Sequence, residues 1–109
     1  EVQVRAAMHA WADHINALAR RPNVAVKISG ISAPNAPASW TVEDLAPYVN
    51  HLLEVFGFGR LVWGGDWPVV TLGSSLSTWV AATQALLSGV SAEDKALLFA
   101  GNAKRIWRI

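Results

Sequence analysis

The sequence contains no cysteine among its 109 residues. That excludes a disulfide framework, a thiolate nucleophile, a Cys-ligated zinc site and a thiol redox switch. It also suits a reducing, cytoplasmic setting, which is the expectation for localisation. Charge is scarce: 16% of residues are charged and 52% are apolar, where an average domain carries about 25% charged residues. A chain this apolar does not stay unfolded in water. Eight Gly and five Pro are too few for a collagen or low-complexity chain. The net charge is only +1, and Arg20-Arg21 and Lys104-Arg105 are pairs rather than a stripe. Phosphate-backbone binding needs positive charge gathered on one face, so nucleic acid is not an expected partner. No run of about 20 apolar residues occurs, so no membrane-spanning helix and no membrane partner are expected. The opening residues Glu1-Val2-Gln3-Val4-Arg5 do not resemble a signal peptide.

The length allows one domain spanning 1–109. Six Trp in so short and apolar a chain are a first sign that it forms part of something larger.

Val4, Met8, Trp11, Ile15 and Leu18 recur at spacings of three and four, which predicts a helix ending before Pro22. From Val24 to Ser29 the period changes to two: Val24, Val26 and Ile28 share one face, and Ala25, Lys27 and Ser29 the other. Ile31 to Trp40 reads as a loop. Thr41 and Asp44 have capping-box spacing ahead of a helix over 42–56 with Leu45, Tyr48, Val49, Leu52, Leu53 and Phe56 inward, closed by Gly57. Arg60 to Trp63 is a second strand. Leu76, Trp79, Val80, Thr83, Leu86 and Leu87 define a third helix, and Ser91 with Asp94 caps a fourth. Gly101-Asn102 is expected to break the chain before a last turn over Ala103–Trp107.

The order α-β-α-β-α-α predicts an α/β fold with two parallel strands. Two parallel strands leave two open edges and need both faces covered. The chain therefore reads as a piece of a larger α/β fold, or as a protomer that must find neighbours and so a homo-oligomer.

In parallel α/β folds the chemistry lies at the C-terminal ends of the strands. Asp66 sits just past the second strand, with Val62 and Gly64 on its face and Leu61, Trp63 and Gly65 on the other. Gly64 and Gly65 leave room beside it for a substrate or a water. Asp66 is the candidate general base or metal ligand; the alternatives are a carboxylate that caps the next segment or pairs with a lysine. Lys27 and Ser29 share the corresponding face of the first strand, and Lys27 is a candidate partner of Asp66 or else a surface lysine. Trp67 walls a pocket beside Asp66 in the functional reading. His9, His14 and His51 fall on helices, His51 on the polar side of the second, away from strand ends and without metal-ligand spacing, so a histidine metal site cannot be built from these residues.

Arg60-Leu61-Val62-Trp63-Gly64-Gly65-Asp66-Trp67-Pro68 resembles the last-strand motif of amidohydrolase family 2, whose usual form is G-S-D-W-P. Asn23-Val24-Ala25-Val26-Lys27-Ile28-Ser29-Gly30 is similar to its NV-x-x-K-x-SG strand. Trp40-Thr41-Val42-Glu43-Asp44-Leu45, with Tyr48-Val49 and Phe56-Gly57, is similar to the helix between them. Gly101-Asn102-Ala103-x-Arg105-x-Trp107 resembles the closing GNA-x-R-x-[FYW]. The joint order of these motifs is specific, and they cover nearly the whole chain.

The resemblance implies the C-terminal part of a (β/α)8 TIM barrel, strands seven and eight with flanking helices. It implies a parent hydrolase that opens a sugar lactone, of the L-fuconolactonase or L-rhamnonolactonase type, or else a pyrone-dicarboxylate lactonase or decarboxylase. It implies a small-molecule lactone or related carboxylic substrate and one divalent metal, zinc or similar, in the parent. Asp66 matches the residue that activates water or binds that metal. Trp67, Lys27, Ser29 and Gly65 match positions lining the pocket. Gly65 departs from the family's Ser, and the family's N-terminal H-x-H and mid-barrel His residues are absent. The chain alone is accordingly expected to bind no metal and to be inactive. The competing expectations are an inert remnant that self-associates through strand edges or apolar helix faces, and a small α/β binding module.

Overall fold

The computed structural model describes residues 2–30 and 40–109; the expected loop over 31–39 lies outside the described residues. Helix α1 spans Val2–Ala19 and strand β1 Val26–Ile28. Helix α2 spans Val42–Phe56, strand β2 Leu61–Trp63 and helix α3 Leu76–Leu86. Helix α4, Ala92–Ala96, runs through a wider π-helical turn, Leu97–Gly101, into α5, Asn102–Trp107. Short 3-10 turns, Phe58–Arg60 and Val69–Leu72, flank β2.

The two strands pair in parallel, with Val26 opposite Leu61, Lys27 opposite Val62 and Ile28 opposite Trp63. Gly64 N–H extends the ladder by donating to Ile28 O at 3.0 Å. The side-chain period of two then divides the sheet as the sequence implies. Ile28 and Leu61 lie in the core, and Val26 and Trp63 pack against it. That core also takes Leu45, Val49, Leu52 and Phe56 of α2, Trp79 and Ala82 of α3, and Val70, Leu87 and Leu98. The alternate positions, Lys27, Ser29, Val62 and Gly64, belong to the other face.

Local chemistry explains the helix ends. Thr41 forms the expected capping box: its hydroxyl accepts from Asp44 N–H, and the Asp44 carboxylate accepts from Thr41 N–H at 2.8 Å. Gly57 ends α2 at φ 71°, a backbone region open to glycine. Ser75 and Ser91 accept from the backbone N–H three residues on and start α3 and α4. At the end of α1, Arg60 donates to the carbonyls of Ala19, Arg21 and Val24 and covers the Phe56 ring. One guanidinium thus ties the α1 terminus to the entry of β2.

Three expectations need correction. Both strands are three residues long, shorter than the patterns suggest; β2 starts at Leu61 because Arg60 is held in a 3-10 turn and serves α1. Gly101-Asn102 does not break the chain. Gly101 keeps a helical φ of −59°, and Asn102 is 1% exposed. Its side-chain amide is engaged by Leu61 O at 2.8 Å and by Phe58 O, so it does not compete for its own backbone. His51 leaves the polar side of α2 for the α1–α2 contact. Its Nε2 lies 2.9 Å from Asn16 Oδ1 and its ring packs on Trp11. No helix among the described residues is long and apolar enough to cross a membrane.

Candidate functional site

The site grows out of the exit of β2. Two tryptophans fix that exit from the helix side. Trp79, 1% exposed, donates through Nε1 to Gly64 O at 2.8 Å. It stacks on Trp63 with centroids 6.2 Å apart. Trp63 donates through Nε1 to the Thr83 hydroxyl at 2.9 Å, and that hydroxyl donates to Trp79 O. The indoles, the hydroxyl and the Gly64 carbonyl form one closed network, which rigidifies the strand end.

Beyond it the backbone turns sharply. Asp66 has φ 56°, in the left-handed region that Asp tolerates better than most residues. Its carbonyl accepts from Val70 N–H at 2.7 Å, closing the turn into the 3-10 segment. The Trp67–Pro68 peptide bond in this turn is cis. The turn brings the Asp66 carboxylate over the end of β1. A Cβ placed on Gly30, itself at φ 73°, would lie 3.6 Å from Asp66 Oδ2. The carboxylate therefore stands across the C-terminal ends of both strands and is half-buried.

Lys27 and Ser29 are brought to the same face. A Cβ placed on Gly64 would overlap Lys27 Cε and lie 3.2 Å from both Lys27 Nζ and Ser29 Cβ. The Lys27–Asp66 ion pair considered from the sequence is not among the bonds of the described residues; the register sets Lys27 opposite Val62, four residues before Asp66. Gly65 is not brought to this face. A Cβ there would meet Leu76 Cδ1 at 2.9 Å and the Trp63 ring, so its contacts are with the helix layer. Trp67 follows Asp66 at the strand end and is 69% exposed.

Asp66 could offer one oxygen to a metal ion. Among the described residues no group of three or more His, Cys, Asp or Glu could hold one. His9 and His14 are exposed on α1, and His51 is engaged with Asn16. These residues do not by themselves make up a metal centre.

Sequence reasoning missed the supports of the site. Trp79 and Thr83 stand in the sequence only as part of the spacing that defines α3, yet their polar atoms hold the strand end. Asn102 carries a signal in its place within Gly101-Asn102-Ala103-x-Arg105, although Gly-Asn by itself reads as a chain break.

The family model described as amidohydrolase matches residues 2–109. The chain is 34% identical over 92% of its length to an L-fucono-1,5-lactonase of Burkholderia ambifaria, and 34% identical over 91% to the uncharacterized protein y4mH of Sinorhizobium fredii. It spans about a third of those relatives, 36% and 33% of their lengths. Its structure superposes with a TM-score of 0.84 and 26% identity on a zinc-bound amidohydrolase from Burkholderia multivorans, covering 91% of this chain and 37% of that one. With the family model matching almost end to end, the chain belongs to the amidohydrolase family.

Proposed function

We propose that the protein this chain belongs to is a lactonase of the sugar-lactone type, with Asp66 as its general base. The observation that carries the reading is the position of Asp66. Its carboxylate lies across the C-terminal ends of two parallel strands, the end at which a barrel keeps its active site. The likeness to L-fucono-1,5-lactonases supports the choice of a lactone. In this reading β1 and β2 are the seventh and eighth strands of the barrel, and the rest of the barrel supplies the remaining wall of the pocket.

The reaction asks for little more than a placed base. Asp66 accepts a proton from a water as the water oxygen bonds to the lactone carbonyl carbon. The carbonyl electron pair moves to oxygen, giving a tetrahedral oxyanion. When that pair returns, the ring C–O bond breaks and the departing alkoxide takes the proton held by Asp66. The product is a hydroxy acid, which loses its acidic proton to solvent. Trp67, Lys27 and Ser29 line the pocket. A divalent metal, when bound by the complete protein, would polarise the carbonyl, with Asp66 able to give it one oxygen.

The test is proton release by the full-length protein on a panel of five- and six-membered sugar lactones, L-fucono-1,5-lactone among them. Saturable hydrolysis with kcat/KM of about 10⁴ M⁻¹s⁻¹ or more is expected, the range of ordinary enzymes. A folded full-length protein that leaves every lactone at the buffer rate would overturn the reading.

A further inference from the structure

We propose that Lys27 is the anion-binding residue of this site, and that position 64 is glycine because the Lys27 side chain lies across it. The proposal rests on the lactonase reading and assigns a role that lining the pocket does not.

The direction of the lysine is the key observation. Lys27 is opposite Val62 in the register. Its Cε and Nζ nevertheless reach Gly64, two residues further toward the C-terminal end of β2. The side chain therefore slants along the sheet toward the end where Asp66 stands. Any side chain at position 64 would fill the space Lys27 Cε now occupies. Ser29 lies on the same face: its Cβ would be 3.2 Å from a Cβ at position 64. Gly64 is itself held in place from behind by the Trp79 bond to its carbonyl. The strand end beneath the lysine is thus fixed.

The chemistry explains why a cation belongs there. Lactone opening moves negative charge onto the carbonyl oxygen, first as the oxyanion and then as the product carboxylate. A base at the strand end takes the proton, and a cation facing the other oxygen offsets the charge that develops. Asp66 and Lys27 have these two opposite tasks, and Ser29, Gly30 and Gly64 lie between them. No bond forms to Lys27, and its proton stays on Nζ throughout. Gly64 is a positioning residue in this scheme, since it acts only through Lys27.

The experiment uses the full-length protein, wild type and the variants Lys27→Met, Gly64→Ala and the double variant. Two quantities are read: kcat/KM on L-fucono-1,5-lactone and the dissociation constant of L-fuconate, the ring-opened anion. Lys27→Met keeps the side chain as far as Cε and removes the ammonium. It should weaken L-fuconate binding at least about tenfold and lower kcat/KM about 10²-fold, the scale of losing one oxyanion donor. Gly64→Ala should move both quantities the same way. The double variant should match Lys27→Met within about twofold, because the glycine has nothing left to position. L-fuconate binding unchanged in Lys27→Met would overturn the proposal, as would losses in the two single variants that multiply in the double. If Gly64→Ala does not fold, Lys27→Met alone decides. Wild-type hydrolysis with an indifferent Lys27→Met sinks this inference and leaves the lactonase reading standing. A wild type that hydrolyses no lactone sinks both.

Discussion

Replacing Asn102 by Ala in the full-length protein should destabilise it by about 2–4 kcal/mol. Asn102 is 1% exposed, and its amide donates to Leu61 O at 2.8 Å and to Phe58 O. Leu61 is wholly buried, so water cannot take over from the lost donor there. Leaving a buried acceptor without its partner costs about 1–3 kcal/mol, and two carbonyls share this donor group. The missing amide atoms also leave a small void. Arg105 loses a weak bond to Asn102 Oδ1 at 3.5 Å but keeps its bond to Gly59 O, so it adds little. In a domain of barrel size a kcal/mol moves Tm by about 2–4 °C, which puts the expected fall near 10 °C. Thermal unfolding followed by circular dichroism, with the exposed Asn50→Ala as control, measures it. A fall of less than about 2 °C, no larger than the control's, would refute the claim that this amide pins the helix end to β2.

Other substitutions separate support from chemistry. Trp79→Phe removes the bond to Gly64 O while keeping most of the stacked surface. It should cost about 1–3 kcal/mol and lower kcat as well, since the strand end behind Asp66 loosens; denaturant midpoints and steady-state kinetics read the two effects. Thr41→Ala breaks the capping box and should cost about 1 kcal/mol with kcat unchanged. Arg60→Ala frees the carbonyls of Ala19, Arg21 and Val24, so amide hydrogen exchange over residues 20–24 should rise while exchange in α3 stays as it was. Trp67→Ala should leave Tm within about 2 °C because the ring is exposed. A rise in KM with little change in kcat would mark it as a pocket wall.

The sequence made the alternation of elements legible because their periods differ. The stripe of α2 and the two-residue alternation of β1 are strong local signals, and Thr41 with Asp44 named its own cap. Facing was legible for the same reason: once the period is two, Lys27, Ser29 and Gly64 must share a side. What was hidden depends on contacts between distant parts of the chain. Asn102 has the residue type of a helix stop, and only β2 lying beside it turns that amide outward. His51 sits where α2 looks polar, and only the approach of α1 gives it Asn16. Gly64 and Gly65 look equivalent in the sequence. The structure gives one to a lysine and the other to Leu76.

The left-handed backbone at Asp66 and its place across both strand ends are the centre of the functional reading. Asn tolerates that conformation as Asp does and differs in shape by almost nothing. The most direct measurement is therefore kcat for L-fucono-1,5-lactone in the full-length protein, wild type against Asp66→Asn, with Tm recorded for both. If Asp66 is the general base, kcat falls more than about a hundredfold while Tm stays within a few degrees. Near-native turnover in a well-folded Asp66→Asn protein would contradict the assignment.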